Sequence, residues 1–312
     1  FHHTAAYDAA ISAYFEKESR DEDGLPPVIN LSLVRHASLR YGENPHQRAA
    51  LYRPQFHPPI GLVAAKQLHG KQLSFNNYLD LQGAWSLIRE FDETACAIIK
   101  HTNPCGAAVG GTLLQAYRDA LSCDPVSAFG SIVAFNREVD AETAEEMRSL
   151  FVEAVIAPGY TPGALEIFSK KKNLRIMEMP AGKGKPVSKP HTGFDLKRIA
   201  GGILVQDQDV HYLSEKDLKV VTKRHPTKEE IRDLLFGWII CKHVKSNAIV
   251  YVREGRTLGI GAGQMSRVDS ARIAAEKAQS PLEGAVMASL SLIHISEPTR
   301  PLYISYAVFC LK

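Results

Sequence analysis

The stretch CAIIKHTNPCGAAVG, Cys96 to Gly110, decides how the rest of the chain is read. Ala95 to Ile99 is a short apolar run with the length of a buried strand. It stops at Lys100 and His101, two side chains able to carry positive charge. Asn103-Pro104 and Gly106 then predict a turn. From Thr112 onward, TLLQAYRDAL sets Leu113, Leu114, Tyr117 and Leu121 at helical spacing. The unit is strand, polar turn, helix. In open α/β sheets ligands bind beyond the carboxyl ends of the strands, where Lys100 and His101 would stand. A neutral histidine there can take a proton from an amine or hydroxyl. A lysine cation beside it favours that neutral form and can face a developing oxyanion. The same pair also suits an exposed strand end that only keeps charge in water.

The 312 residues, 45% apolar and 23% charged, suit two domains of ordinary size with real cores. A formal net charge of +3 gives no case for nucleic acid. The basic runs, Lys170-Lys171-Lys172 and the loop from Lys183 to Lys189, read as solvated faces. Five cysteines, Cys96, Cys105, Cys123, Cys241 and Cys310, form no C-x-x-C pair. That excludes the usual zinc and disulfide patterns and suggests a reducing, cytoplasmic setting. No apolar run approaches the roughly 18 residues of a membrane helix. FHHTAAYDAAISAYF has no basic start or apolar centre for a signal peptide, and reads as a helix cut from something longer.

Along the chain, a charged, Pro-containing linker follows Phe15, and Ser32 to Leu39 predicts a strand. LRYGENPHQ, Leu39 to Gln47, is a turn crowded with hydrogen-bonding groups, in which Arg40 suits a phosphate or carboxylate. Helices are expected over Leu81–Phe91, Thr112–Leu121, from Asp140 to about Phe151, and over Thr161–Lys171. Between them, strands are expected at Ala95–Ile99, Ser131–Phe135, Ala154–Ala157 and Leu174–Met179. This alternation implies a parallel or mixed sheet covered on both faces. Ala181 to Thr192 reads as a surface loop, and Ile199 to Val205 as a new strand. Thr227 to Glu230 is a capping box opening a helix to about Cys241, followed by a hairpin around Glu254-Gly255. Ser266 opens a further helix, with Asp269 placed for a reciprocal cap.

KHVKSN, Lys242 to Asn247, echoes KHTNP about one domain length later and hints at two related lobes in tandem. GIGAGQMSR, Gly259 to Arg267, strips side chains from a loop feeding a helix N-terminus, a ready anion site. It matches neither G-x-G-x-x-G nor a P-loop, which speaks against a dinucleotide or ATP.

Taken in order, LRYGENPHQ, KQLHGKQLSFNNYLDLQGAW, IKHTNPCGAAVG, SAFGSIVAFN, IAPGY, SKKKNLR and KHVKSNAIVY…GIGAGQMSR resemble a family of bifunctional purine-biosynthesis enzymes. These combine AICAR transformylase with IMP cyclohydrolase. The resemblance implies an α/β fold of two tandem cytidine-deaminase-like α/β/α lobes without zinc. On this reading residues 1–30 are the end of the cyclohydrolase domain and a linker, 31–196 the first lobe, and 197–289 an incomplete second lobe. Residues 290–312 are expected to be a non-native tail: SLIHISEPTRP resembles translated sequencing-adapter DNA, and the family's Asp/Phe-rich segment is missing there.

The reaction implied is transfer of formyl from 10-formyltetrahydrofolate, a co-substrate, to the 5-amino group of AICAR, in a cytoplasmic homodimer and with no metal. By resemblance His101 is the proton acceptor, Lys100 stabilises the transition state, and Asn247 helps place the reacting groups. Arg40, Tyr41, Phe129, Gly130, Glu153 and Arg267 contact the nucleotide, and Val268 lies near the folate. The cyclohydrolase body is expected to be absent, and the chain as written to be inactive. The rival reading is a nucleotide-binding piece without catalysis.

Overall fold

The computed structural model describes residues 1–15, 24–56, 58–179, 194–221 and 223–289. The expected loop at Ala181–Thr192 and the tail at 290–312 lie outside them, as does most of the linker after Phe15. The chain divides into two units, Phe1–Ala64 with Gln72–Asn76, and Ala65–Lys71 with Asn77–Lys312.

The first unit holds helix α1 (His2–Phe15) and the antiparallel strands β1 (Leu33–Ser38) and β2 (Ala50–Pro54). The Gly42–Gln47 turn between the strands is closed by its own backbone: the Gly42 amide donates to the Gln47 carbonyl at 2.8 Å. The Gln47 amide donates to the Asn44 carbonyl at 3.0 Å.

The second unit is built on one sheet. Its elements are β3 (Lys66–His69), α2 (Phe75–Ile88, from Asn77 on), β4 (Ala95–Lys100), β5 (Asn103–Val109), α3 (Leu113–Leu121) and β6 (Ser131–Phe135). There follow α4 (Ala141–Glu146), β7 (Val152–Ala157), α5 (Pro162–Ser169) and β8 (Arg175–Glu178). A separate hairpin, β9 (Phe194–Ile199) and β10 (Gly202–Asp207), precedes α6 (Lys228–Lys242), β11 (Ile249–Arg253), β12 (Arg256–Gly261), α7 (Arg267–Lys277) and β13 (Val286–Ser289). The nine-stranded mixed sheet runs β13-β11-β12-β5-β4-β6-β7-β8-β3.

That order contains a repeat. Helix, hairpin, helix, strand occurs as α2-β4-β5-α3-β6 and again as α6-β11-β12-α7-β13. In both copies the last strand pairs antiparallel with the first strand of its hairpin. The two copies meet where β12 lies antiparallel to β5. The echo between KHTNP and KHVKSN is not part of this repeat. Lys100 ends a hairpin strand, whereas Lys242 ends a helix.

Both sheet faces are covered. Cys96, Ile98, Val133 and Phe135 pack with Tyr117 of α3 and Phe168 of α5 in one buried cluster. The alternate residues Ala97, Ile99 and Ala134 are as deeply buried, so the opposite face is also shielded. There α2 contributes buried Leu81, Ala84 and Trp85. In the second repeat Ala274 of α7 packs with Ile249 and Tyr251, while Gly237 of α6 lies against Val252 and Ala288.

Five expectations change. Asn103, Pro104 and Gly106 are not a turn but the strand β5, and the reversal is confined to His101-Thr102. Pro104 pairs with Ile99 beside a bulge: the register shifts between Ile98 and Ile99 and leaves Cys105 as the extra residue. The helix expected over Leu81–Phe91 begins at Phe75 and ends at Ile88, and the one after Asp140 ends at Glu146. Ile199–Val205 is a hairpin reversal rather than one strand. Lys171 is not a solvated charge: its Nζ turns inward to the Leu150 carbonyl at 2.7 Å.

Candidate active site

β4 runs antiparallel to β6, and β6, β7 and β8 are parallel to one another. The edge of the sheet that carries Lys100 is therefore the amino end of the parallel strands. This corrects the placement expected from the carboxyl-end rule, because a hairpin tip rather than a strand-to-helix crossover presents the Lys-His pair. The same edge receives the end of β12, since β12 is antiparallel to β5, and the start of β11. Lys100, His101, Phe129, Gly130, Glu153, Asn247, Arg267 and Val268 all lie on or next to this edge.

The tip itself is tight. Lys100 pairs with Asn103, leaving His101 and Thr102 as a two-residue loop with φ of 51° and 62°. Two consecutive positive φ values match the hairpin turn that follows the natural twist of the strands, a turn usually filled by Asn-Gly. The backbone groups are satisfied: the Thr102 amide donates to Asp80 Oδ1 at 2.7 Å, and Asn103 Nδ2 donates to the His101 carbonyl at 3.1 Å. The imidazole is exposed and makes no hydrogen bond among the described residues. Lys100 Nζ donates to the Phe129 carbonyl at 2.7 Å, which holds the ammonium over the tip.

Beside the tip is a cleft of about 310 Å³, lined on one side by Lys100, His101 and Asn103 and on the other by Gln264, Ile273 and Lys277. Lys277 Nζ lies 3.0 Å from Asp124 Oδ2. Burial raises the Asp124 carboxyl, but hydrogen bonds from Ser127 and the Lys277 ammonium outweigh it and hold it below the usual range. Burial pushes the Cys105 and Cys123 thiols, which also line the cleft, up to about 12. Neither is a thiolate nucleophile near neutral pH. The groups left to act on a substrate are an imidazole, ammonium ions, amides, the Asp124 carboxylate and the Ser127 hydroxyl.

The far wall is braced by Asn247. Its Nδ2 donates to the carbonyls of Gln264 and Met265, both at 2.9 Å, and its own carbonyl accepts from Ser270 Oγ at 2.8 Å. Asn103 ties the two walls together, its Oδ1 accepting the Lys245 amide at 3.0 Å. Arg267 is the first residue of α7, capped by Ser266, and Val268 is 58% exposed. Asp269 does not cap in return; its carboxylate pairs with Arg272 at 2.8 Å.

The glycines before Arg267 also differ from expectation. Gly259 and Gly261 belong to β12, where a Cβ would fall 2.0 Å from the Ala274 carbonyl oxygen and 1.9 Å from that of Ser270. They let α7 press against the sheet, as Gly106 does for α3 near Ala120. Their effect on an anion site is indirect, through the seating of α7.

On the other side of Lys100, Phe129 is 59% exposed and packs on Phe151 at a 45° tilt with ring centres 5.1 Å apart. Gly130, at φ 75°, donates its amide to the Phe151 carbonyl at 2.8 Å. Glu153 pairs with Arg175 Nη1 at 2.5 Å, and is not among the residues lining the cleft. Arg40 and Tyr41 belong to the first unit, where the Arg40 guanidinium lies 5.3 Å from the Tyr41 ring centre. In that unit a second cavity, of about 330 Å³, is lined by Gly42, Gln47, Arg48 and Phe75.

The second Lys-His pair has a structural task. Lys242 Nζ and His243 Nε2 reach the buried Glu90 carboxylate at 3.0 and 3.2 Å. Burial raises the Glu90 carboxyl, but the hydrogen bonds from His243 and Lys242 more than offset it and leave it below its ordinary value. Sequence reasoning missed Asp80, Asp124 and Lys277. Each lies on a helix or loop remote in sequence from its partner, and no local pattern marks any of them.

Among the described residues no group of three or more His, Cys, Asp or Glu is arranged to hold a metal ion. No helix among them is long and apolar enough to cross a membrane. A family model described as AICARFT/IMPCHase bienzyme matches residues 1–277.

Proposed function

The chain belongs to the AICARFT/IMPCHase bienzyme family, an enzyme family of purine biosynthesis, and on that premise we propose that its Lys100–His101 edge performs the formyl transfer. The AICAR 5-amino nitrogen attacks the formyl carbon of 10-formyltetrahydrofolate, and the carbonyl oxygen becomes an oxyanion. Lys100 faces that charge, and His101 takes the proton the amine loses. Collapse breaks the bond from the formyl carbon to N10 of the folate, and the proton returns to N10. The products are the formamide and tetrahydrofolate. Arg40, Tyr41, Phe129, Gly130, Glu153 and Arg267 hold the nucleotide, Asn247 keeps the opposite wall in register, and Val268 meets the folate.

One observation carries this reading. An exposed histidine without a hydrogen-bond partner among the described residues stands at a tight hairpin tip, beside a lysine held by a main-chain carbonyl. A residue with only a solvated role would not need that backbone. The repeated helix-hairpin-helix-strand unit supports two tandem lobes of cytidine-deaminase-like type, over 31–196 and 197–289. The family's working form is a cytoplasmic homodimer.

A second reading is binding of the nucleotide without transfer; the family match covers residues 1–277 and leaves 278–312 outside it. The test is to incubate the chain with AICAR and 10-formyltetrahydrofolate and to follow tetrahydrofolate release, with AICAR affinity measured separately by calorimetry. Release supports formyl transfer. Binding without release supports the second reading, and neither overturns both.

A further inference from the structure

We propose that Asp80 is the positioning residue for His101: its carboxylate, fixed on α2, holds the His101-Thr102 turn in its left-handed form. This rests on His101 having the role given above.

Positive φ is uncommon outside glycine, and for a β-branched residue such as Thr102 it is a true outlier. Such a conformation persists only where its surroundings over-determine it, and it is found where a side chain must be held in a working position. Two of the bonds at the tip are internal to it, from Thr102 Oγ1 and from Asn103 Nδ2 to the His101 carbonyl. The Thr102 bond travels with the turn, whereas Asn103 is itself held from outside, its Oδ1 accepting the Lys245 amide at 3.0 Å. The contact from outside that grips the backbone of the turn itself is to Asp80: the Thr102 amide donates to its Oδ1 at 2.7 Å and the His101 backbone also bonds this carboxylate, bonds to a charged acceptor and therefore of the stronger kind.

Its anchor is rigid. Leu81, Ala84 and Trp85, next to Asp80 on α2, are buried. Gly83 faces the tip, where a Cβ would make ordinary contact with the Thr102 Cα at 3.7 Å. Asp80 is also not an ordinary solvated helix carboxylate. Burial raises its pKa, and the Thr102 amide, His101 and Lys245 only partly counter this. A site that is costly for charge and yet holds a carboxylate against a strained turn has the features of a positioning contact.

The test compares Asp80→Ala, Asp80→Asn and the double variant Asp80→Ala with Thr102→Gly. Two quantities are read: formyl-transfer kinetics, and amide hydrogen exchange at His101 and Thr102 in the free protein. For Asp80→Ala, kcat is expected to fall about tenfold or more with KM within about threefold. Exchange at the tip should rise about tenfold, while β4 and β6 stay protected. Asp80→Asn retains an accepting oxygen, so both readouts should remain near the parent. Glycine at 102 takes positive φ without strain, so the double variant should regain most of the lost kcat.

Unchanged tip exchange in Asp80→Ala would overturn the proposal, as would a double variant no faster than Asp80→Ala. If the parent shows no transfer, the exchange readout alone decides the role of Asp80, and the failure then lies with the proposed reaction.

Discussion

The Thr257 hydroxyl accepts the Ala107 amide at 3.0 Å and donates to the Ala107 carbonyl at 3.2 Å, so one buried side chain spans the seam where the two halves of the sheet meet. Along that seam the strand ladder pairs Arg256 with Ala108, and the Val109 amide reaches the Gly255 carbonyl at 2.9 Å. Thr257→Val would leave both Ala107 groups buried without a partner. The expected loss is about 2 kcal/mol of unfolding free energy, read from urea denaturation. Thr257→Ser keeps the hydroxyl and should lose clearly less.

Gly261→Ala places a methyl group 1.9 Å from the Ser270 carbonyl oxygen, against helix backbone that has no flexible end to move aside. The helix must lift, at a cost of about 3 kcal/mol, and Arg267 at its start must move with it. Thermal unfolding measures the first effect, and weaker AICAR affinity the second. A variant as stable as the parent would show that α7 is not seated as described.

Glu90 gives a signed pH effect. Its carboxyl lies below the ordinary value of 4.5 in the folded chain, so the unfolded chain binds its proton more readily. The stabilisation it supplies is full above that value and is lost as pH falls through the folded value. Glu90→Gln should therefore be less stable at neutral pH, because Lys242 loses a buried counter-charge. Its unfolding free energy should also change less between about pH 5 and 3 than that of the parent. Urea titrations across that range check both points.

Cys105 and Cys123, with thiols held near 12 by burial, should resist alkylation by iodoacetamide at pH 8 in the folded chain. They should react once the chain is unfolded, and peptide mass mapping reads the difference. Rapid labelling of Cys105 in the native protein would put a reactive thiol in the cleft and reopen a nucleophilic role.

Much of this was legible in the sequence where the signal is local. The apolar run before Lys100, the alternation of strands and helices, and the caps at Asp140, Thr227 and Ser266 all rest on neighbouring residues, and each appears in the fold. β5 was hidden because Asn103, Pro104 and Gly106 carry turn chemistry, while what extends them is pairing with β4, interrupted by a bulge at Cys105. Strand direction was hidden too, since the antiparallel β4 among parallel neighbours depends on pairings remote in sequence. Gly259 and Gly261 look the same in a sequence whether they clear a loop or admit a helix. The bond from Asp80 to Thr102 joins a helix to a turn and leaves no mark in either segment. The two Lys-His pairs make the same point: Lys242 and His243 are spent on Glu90, while the His101 imidazole makes no hydrogen bond among the described residues.

The most direct measurement is single-turnover formyl transfer by His101→Ala beside the parent chain, with AICAR affinity taken on both. Loss of a general base predicts a rate lower by about a hundredfold to ten-thousandfold, with AICAR bound within about threefold of the parent. A variant that transfers formyl at the parental rate would contradict the account, and the hairpin tip would then be a strained turn without a catalytic task.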